Sequence, residues 1–143
     1  MKPSNILIEK LSESLRILKI GDISISNIDI HLLKKTVVGK MDRETSPAYI
    51  APEVIKNEAA TNKVDMWGLG IILYLLVASG KHPFPDDHSF EMKKAILDNE
   101  PALALLPLTV SPFIKKTIKA LLAKNPDSRP DAQTLVNQVE FQA

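Results

Sequence analysis

The spacing of apolar residues changes character along the chain. Two short runs rich in branched side chains, Ile6-Leu7-Ile8 and Leu15 to Ile20, flank a polar stretch from Glu9 to Ser14, and this predicts a β-hairpin. A hairpin returns its ends to one place. Asn5, entering the first strand, and Asp22, leaving the second, are thereby brought near each other although far apart in sequence. From Ile23 to Tyr49 no period is kept and polar residues are frequent. A connection that long marks a functional or mobile loop.

Beyond Tyr49 the pattern turns helical. Val64 to Ser79 is apolar on nearly every face, through Met66, Trp67, Leu69, Ile71, Ile72, Leu73, Leu75, Leu76 and Val77, with Asp65 in its first turn and Gly80 past its end. Such a helix has to be wrapped by others. Ser89 to Leu97 predicts a shorter amphipathic helix burying Phe90, Met92, Ile96 and Leu97. A third starts at Ser111 as N-cap with Pro112 at its first position, and Ile114, Ile118, Leu121 and Leu122 line one face. The last starts at Asp131 and buries Leu135, Val136 and Val139. The fold expected is mainly α, with a short β-hairpin, a long loop and four helices.

Composition narrows the function classes. With 143 residues, 45% of them hydrophobic, the chain is sized for one domain or a piece of one. Eighteen basic against seventeen acidic residues leave a net charge of +1, so no global field recruits nucleic acid or an anionic membrane. The absence of cysteine excludes disulfides and thiolate metal sites, in keeping with a cytoplasmic protein. The longest apolar run, Leu69 to Ala78, is half the roughly 20 residues needed to cross a bilayer.

Lys2-Pro3-Ser4-Asn5, Gly21-Asp22, Ala51-Pro52-Glu53, Asp65-Met66-Trp67 with Gly70, and Asn125-Pro126 with Arg129-Pro130 follow one another in this order. Singly, each piece reads as a turn, a strand end or a helix start. Together they resemble the C-terminal lobe of a eukaryotic-type serine/threonine protein kinase domain, in which H-R-D-x-K-P-x-N is the catalytic loop and D-F-G binds metal. Met1 falls on the position between that Asp and Lys. The resemblance therefore implies that the catalytic Asp and the N-terminal lobe precede residue 1, and that the chain alone is inactive.

What the resemblance implies for the site is specific. Asp22 and Asn5 would hold Mg²⁺, an amide oxygen and a carboxylate being the hard donors that ion prefers. Lys2 would face the transferred phosphate of ATP, and a lysine there favours serine/threonine over tyrosine kinases. Leu7 would floor the adenine pocket. Ser46 stands for the Thr of G-T-P-A-Y, whose hydroxyl meets the catalytic Asp and Lys. Glu53 would pair with Arg129, and Asp65 would brace the catalytic loop through its backbone. The reaction implied is in-line transfer of the ATP γ-phosphoryl to a Ser or Thr of a protein substrate.

Some positions depart from the family. Asp-Phe-Gly is Asp22-Ile23-Ser24 here, and Thr45 replaces a usual glycine. Ser24 lacks the conformational freedom of glycine, which favours an alternative reading as a catalytically dead lobe that binds proteins. Thr36, Thr45 and Ser46 are candidate phosphorylation sites. Without the helix that normally precedes the catalytic loop, one face of the long helix is expected to be bare, inviting a covering partner or leaving the piece unable to fold stably by itself.

Overall fold

The computed structural model describes residues 1–12, 16–21, 47–84 and 89–138, distributed over two compact units, one from Lys2 to Ser46 and one comprising Met1 and Pro47–Ala143. In the first unit a 3₁₀ turn, Pro3–Asn5, leads into β1 (Ile6–Lys10), which pairs antiparallel with β2 (Arg16–Ile20). Ile6 faces Ile20 and Ile8 faces Leu18, so alternation collects these four side chains on one face. Leu7, Glu9, Ile17 and Lys19 lie on the other, where Lys19 and Glu9 form an ion pair. β1 runs two residues past the apolar run, pairing Glu9 with Ile17 and Lys10 with Arg16. Leu15 lies outside the described residues.

The second unit is built around α2 (Lys63–Val77), preceded by a short α1 (Pro52–Ile55) and followed by α3 (Ser89–Asp98), α4 (Pro112–Leu121) and α5 (Ala132–Val136). The described residues thus contain five α-helices rather than the four expected. α1 is a single turn with Pro52 at its first position, too short to display a helical period. Trp67, Ile71 and Tyr74 of α2 are buried with Phe84, Ile96, Leu106, Ile118 and Leu122. A second cluster joins Met66 to Leu121 and Leu135, with Leu69 and Leu73 at its edge.

Gly70 permits the closest approach in this core. A Cβ placed there would lie 2.8 Å from Leu121 Cβ and 2.9 Å from Leu122 Cδ2, so α4 packs directly on the α2 backbone. α2 ends at Val77 rather than Ser79. Ser79 adopts a left-handed φ of +54°, and the Gly80 amide donates to Leu75 O at 2.8 Å, the closing bond of a Schellman stop.

The caps behave as expected. Ser111 Oγ accepts from the Ile114 amide at 3.3 Å, and Asp131 Oδ1 accepts from Thr134 at 2.6 Å. Leu135 is buried but Val136 is 62% exposed, because α5 is too short to bury adjacent positions; Val139, like the Phe90 side chain, lies outside the described residues. The bare face of the long helix is narrower than expected. Leu69 and Leu73 are half-buried by the second cluster, and Leu76, at 75% exposure, is the large apolar side chain left open on α2.

Candidate active site

In the hairpin unit the Pro3–Asn5 turn is closed by the Asn5 amide donating to Lys2 O at 3.0 Å, which holds Lys2 and Asn5 within one turn. Asn5 O in turn accepts from the Gly21 amide at 2.7 Å. This clasp fixes Asn5 beside the residue that immediately precedes Asp22 in the sequence. A Cβ on Gly21 would meet Leu7 Cδ1 at 3.3 Å, so the backbone of β2's end runs close under the Leu7 side chain. Asn5 Oδ1 accepts from Ser4 Oγ at 3.3 Å, and Leu7 is 58% exposed. Of the five residues singled out from the sequence, Lys2 and Asn5 share one backbone turn, and Asn5 and Leu7 both lie against Gly21. Asp22 and Ser46 lie outside the described residues, as do Ile23, Ser24, Thr36 and Thr45.

The helical unit carries a second constellation. Arg129 and Glu53 are buried and meet through paired bonds, Nη1 to Oε1 at 2.7 Å and Nη2 to Oε2 at 2.8 Å. Arg129 also donates to Lys63 O at 3.0 Å, Lys124 O at 3.2 Å and, through Nε, Ala123 O at 2.8 Å. All five guanidinium N–H groups thus have an acceptor. Burial alone would raise the Glu53 pKa; the bonds and charge of Arg129 outweigh it and hold the carboxyl below its ordinary value. Arg129 also lies 5.1 Å from the Trp67 ring centroid, tying the pair to the centre of α2.

Asp65 Oδ1 accepts from the Met1 nitrogen at 3.0 Å. Gly68 makes room for this approach, since a Cβ there would sit 2.6 Å from Met1 O.

Two groups were not visible in the sequence pattern. Lys124 donates to Ile96 O and lies 4.2 Å from the Phe84 centroid, and burial lowers its pKa to about 8. His82 spans from the Phe84 backbone to Ala48 O, which lies 2.9 Å from its Nε2. Neither residue belongs to an apolar period, and the His82–Ala48 contact joins positions 34 apart in sequence. No local signal could have announced it.

A buried arginine clamped to the acid of Ala-Pro-Glu, and a turn bonded to the residue before Asp22, are in keeping with a protein kinase fold. The profile for the protein kinase domain matches residues 1–141, and the chain belongs to the protein kinase family. It is 34% identical over 138 residues to G2-specific protein kinase nim-1 of Neurospora crassa, covering 96% of this chain and 15% of that protein. It is 40% identical over 101 residues to serine/threonine-protein kinase H1 of Homo sapiens, covering 70% and 22%. The crystal structure of the Rad53 kinase domain and SCD2 matches with a TM-score of 0.74 at 26% identity, covering all of this chain and 48% of that one. The chain therefore spans less than a quarter of either curated relative.

Proposed function

We propose that this chain is the C-terminal lobe of a serine/threonine protein kinase that transfers the γ-phosphoryl of ATP to Ser or Thr hydroxyls of a protein substrate. The observation that supports the reading is the Asn5–Gly21 backbone hydrogen bond of 2.7 Å, which holds Asn5 beside the residue that precedes Asp22 in the sequence. An amide oxygen and a carboxylate suit Mg²⁺, which keeps water and substrate phosphates as its remaining ligands. Asn5 and Asp22 would hold the metal. Lys2, half-buried in the same turn, would face the phosphoryl group, Leu7 would contact the adenine, and Ser46 would place its hydroxyl near the phosphate-facing Lys2.

Bound Mg²⁺ neutralises charge that develops on the phosphates; the protein's own contribution is position and electrostatics. The human relative is named a serine/threonine-protein kinase, which supports that substrate class. The 143 residues contain no Gly-rich phosphate loop and no His-Arg-Asp. By themselves they are therefore expected to transfer no phosphate, and catalysis is expected from the polypeptide that also contains those parts, acting in the cytoplasm.

Ser24 in place of the family glycine favours the second reading, a dead lobe that binds proteins. Nucleotide binding separates the two. Isothermal titration of Mg·ATP into the complete kinase should show binding that is weakened at least about tenfold by Asn5→Ala, as removal of a metal ligand requires. Absence of nucleotide binding by a folded wild-type protein leaves the protein-binding reading in its place.

A further inference from the structure

We infer that His82 is a positioning residue for the phosphoryl-transfer reaction, acting through the backbone of Ala48; this rests on the kinase reading above. Ala48 sits in the 3₁₀ turn Pro47–Tyr49, directly after Ser46 in the sequence. Its carbonyl can only accept, so the bond of 2.9 Å requires the hydrogen on His82 Nε2.

The other ring nitrogen shows that this bond does not depend on charge. Nδ1 lies 3.2 Å from the Phe84 amide and 3.0 Å from the Phe84 carbonyl. In the neutral ring Nδ1 accepts from that amide. In the protonated ring it donates to that carbonyl. Both forms keep Nε2–H on Ala48, and the main chain of Phe84 serves as anchor either way.

That anchor is rigid. Phe84 is 1% exposed and stacks on Trp67, with centroids 5.7 Å apart and planes 7° from parallel. The His82 ring packs against Phe84 at 6.0 Å. The turn at Ala48 is thereby bonded to the segment after α2, whose aromatic side chain is locked to the centre of that helix. A short turn that directly follows Ser46, whose hydroxyl the kinase reading sets near the phosphate-facing Lys2, gains from such a hold, because small misplacements of groups around the reacting atoms cost rate steeply.

The decisive comparison is His82→Phe, which keeps an aromatic ring and removes both ring nitrogens, against His82→Gln, whose amide N–H reaches as far as Nε2. In the complete kinase, assayed with Mg·ATP and a mixed Ser/Thr peptide library, His82→Phe should lower kcat/KM for peptide about tenfold while leaving the KM for ATP unchanged. His82→Gln should recover most of that loss. In parallel, hydrogen exchange of the 143-residue chain should show the amides of Tyr49 to Ala51 exchanging about tenfold faster in His82→Phe, with α2 unaffected.

Equal exchange in wild type and His82→Phe overturns the hold on Ala48, as does a His82→Gln variant no better than His82→Phe. Exchange that responds as stated while peptide kinetics do not change reduces His82 to a purely structural contact and overturns the positioning role. A wild-type kinase that transfers no phosphate overturns the kinase reading itself, and the exchange experiment still reports separately on the contact.

Discussion

Arg129 and Glu53 form a pair with side chains 0% and 1% exposed, in which both carboxylate oxygens and all five guanidinium N–H groups are engaged. The arrangement joins three places in the chain: α1, the start of α2 at Lys63, and the turn between α4 and α5. Desolvating two charges is costly, and only complete hydrogen bonding offsets it. Lys63 closes the loop by donating its Nζ to Arg129 O.

Removing one partner leaves the other buried and uncompensated. Glu53→Gln should destabilise the chain by about 3–5 kcal/mol, and Arg129→Lys should approach that loss because an ammonium cannot reproduce the fork. Chemical denaturation of each variant measures this. A loss of under about 1 kcal/mol, the size expected of an exposed pair, contradicts the account.

The same pair sets an acid limit. The Glu53 carboxyl is held below its ordinary 4.5 when folded. Its contribution is therefore present above that ordinary value and is lost as pH falls through the lower, folded one. Stability followed by denaturation between pH 6 and pH 3 should fall more steeply in wild type than in Glu53→Gln.

Lys124 predicts a further rise of stability with pH, at alkaline pH. Its folded pKa of about 8 lies below the ordinary 10.5, so the folded chain carries a desolvated ammonium at neutral pH. The unfolded chain binds the extra proton between those values, and stability should rise with pH across that window. The rise is on the order of 1–3 kcal/mol, after allowance for partial exposure. Above about pH 10 Tyr74, whose phenol is raised by burial and donates to Ala102 O, works against it. Lys124→Met should flatten the rise between pH 8 and pH 10; an unchanged slope in that variant refutes the assignment.

Gly70 offers a steric test. Gly70→Ala would place a methyl within 2.8 Å of Leu121 Cβ, and α4 would have to move. Overpacking of this kind costs about 1–3 kcal/mol. A stabilised variant, as helix propensity alone would give for a Gly-to-Ala change, contradicts the close packing of α2 on α4.

Much of this architecture was legible in the sequence because its signals are local. Ser111-Pro112 and Asp131 announced the helices they cap, and the apolar surface of α2 announced a core helix. The Glu53–Arg129 pair followed from the resemblance, not from spacing, since nothing near either residue indicates a partner 76 positions away. α1 escaped because one turn has no period. His82 escaped for the reason that made the pair invisible: its partner is distant in sequence and is a main-chain oxygen, which every residue possesses.

The central claim is that Asp22 and Asn5 form the metal-binding half of a phosphoryl-transfer site. Phosphoryl transfer from Mg·ATP to a mixed Ser/Thr peptide library, by the complete kinase and its Asp22→Asn variant, tests it most directly. The account predicts robust transfer by wild type and a loss of at least about a hundredfold in the variant, whose fold is retained. Equal rates for the two proteins, or no transfer by a folded and nucleotide-bound wild type, would contradict it.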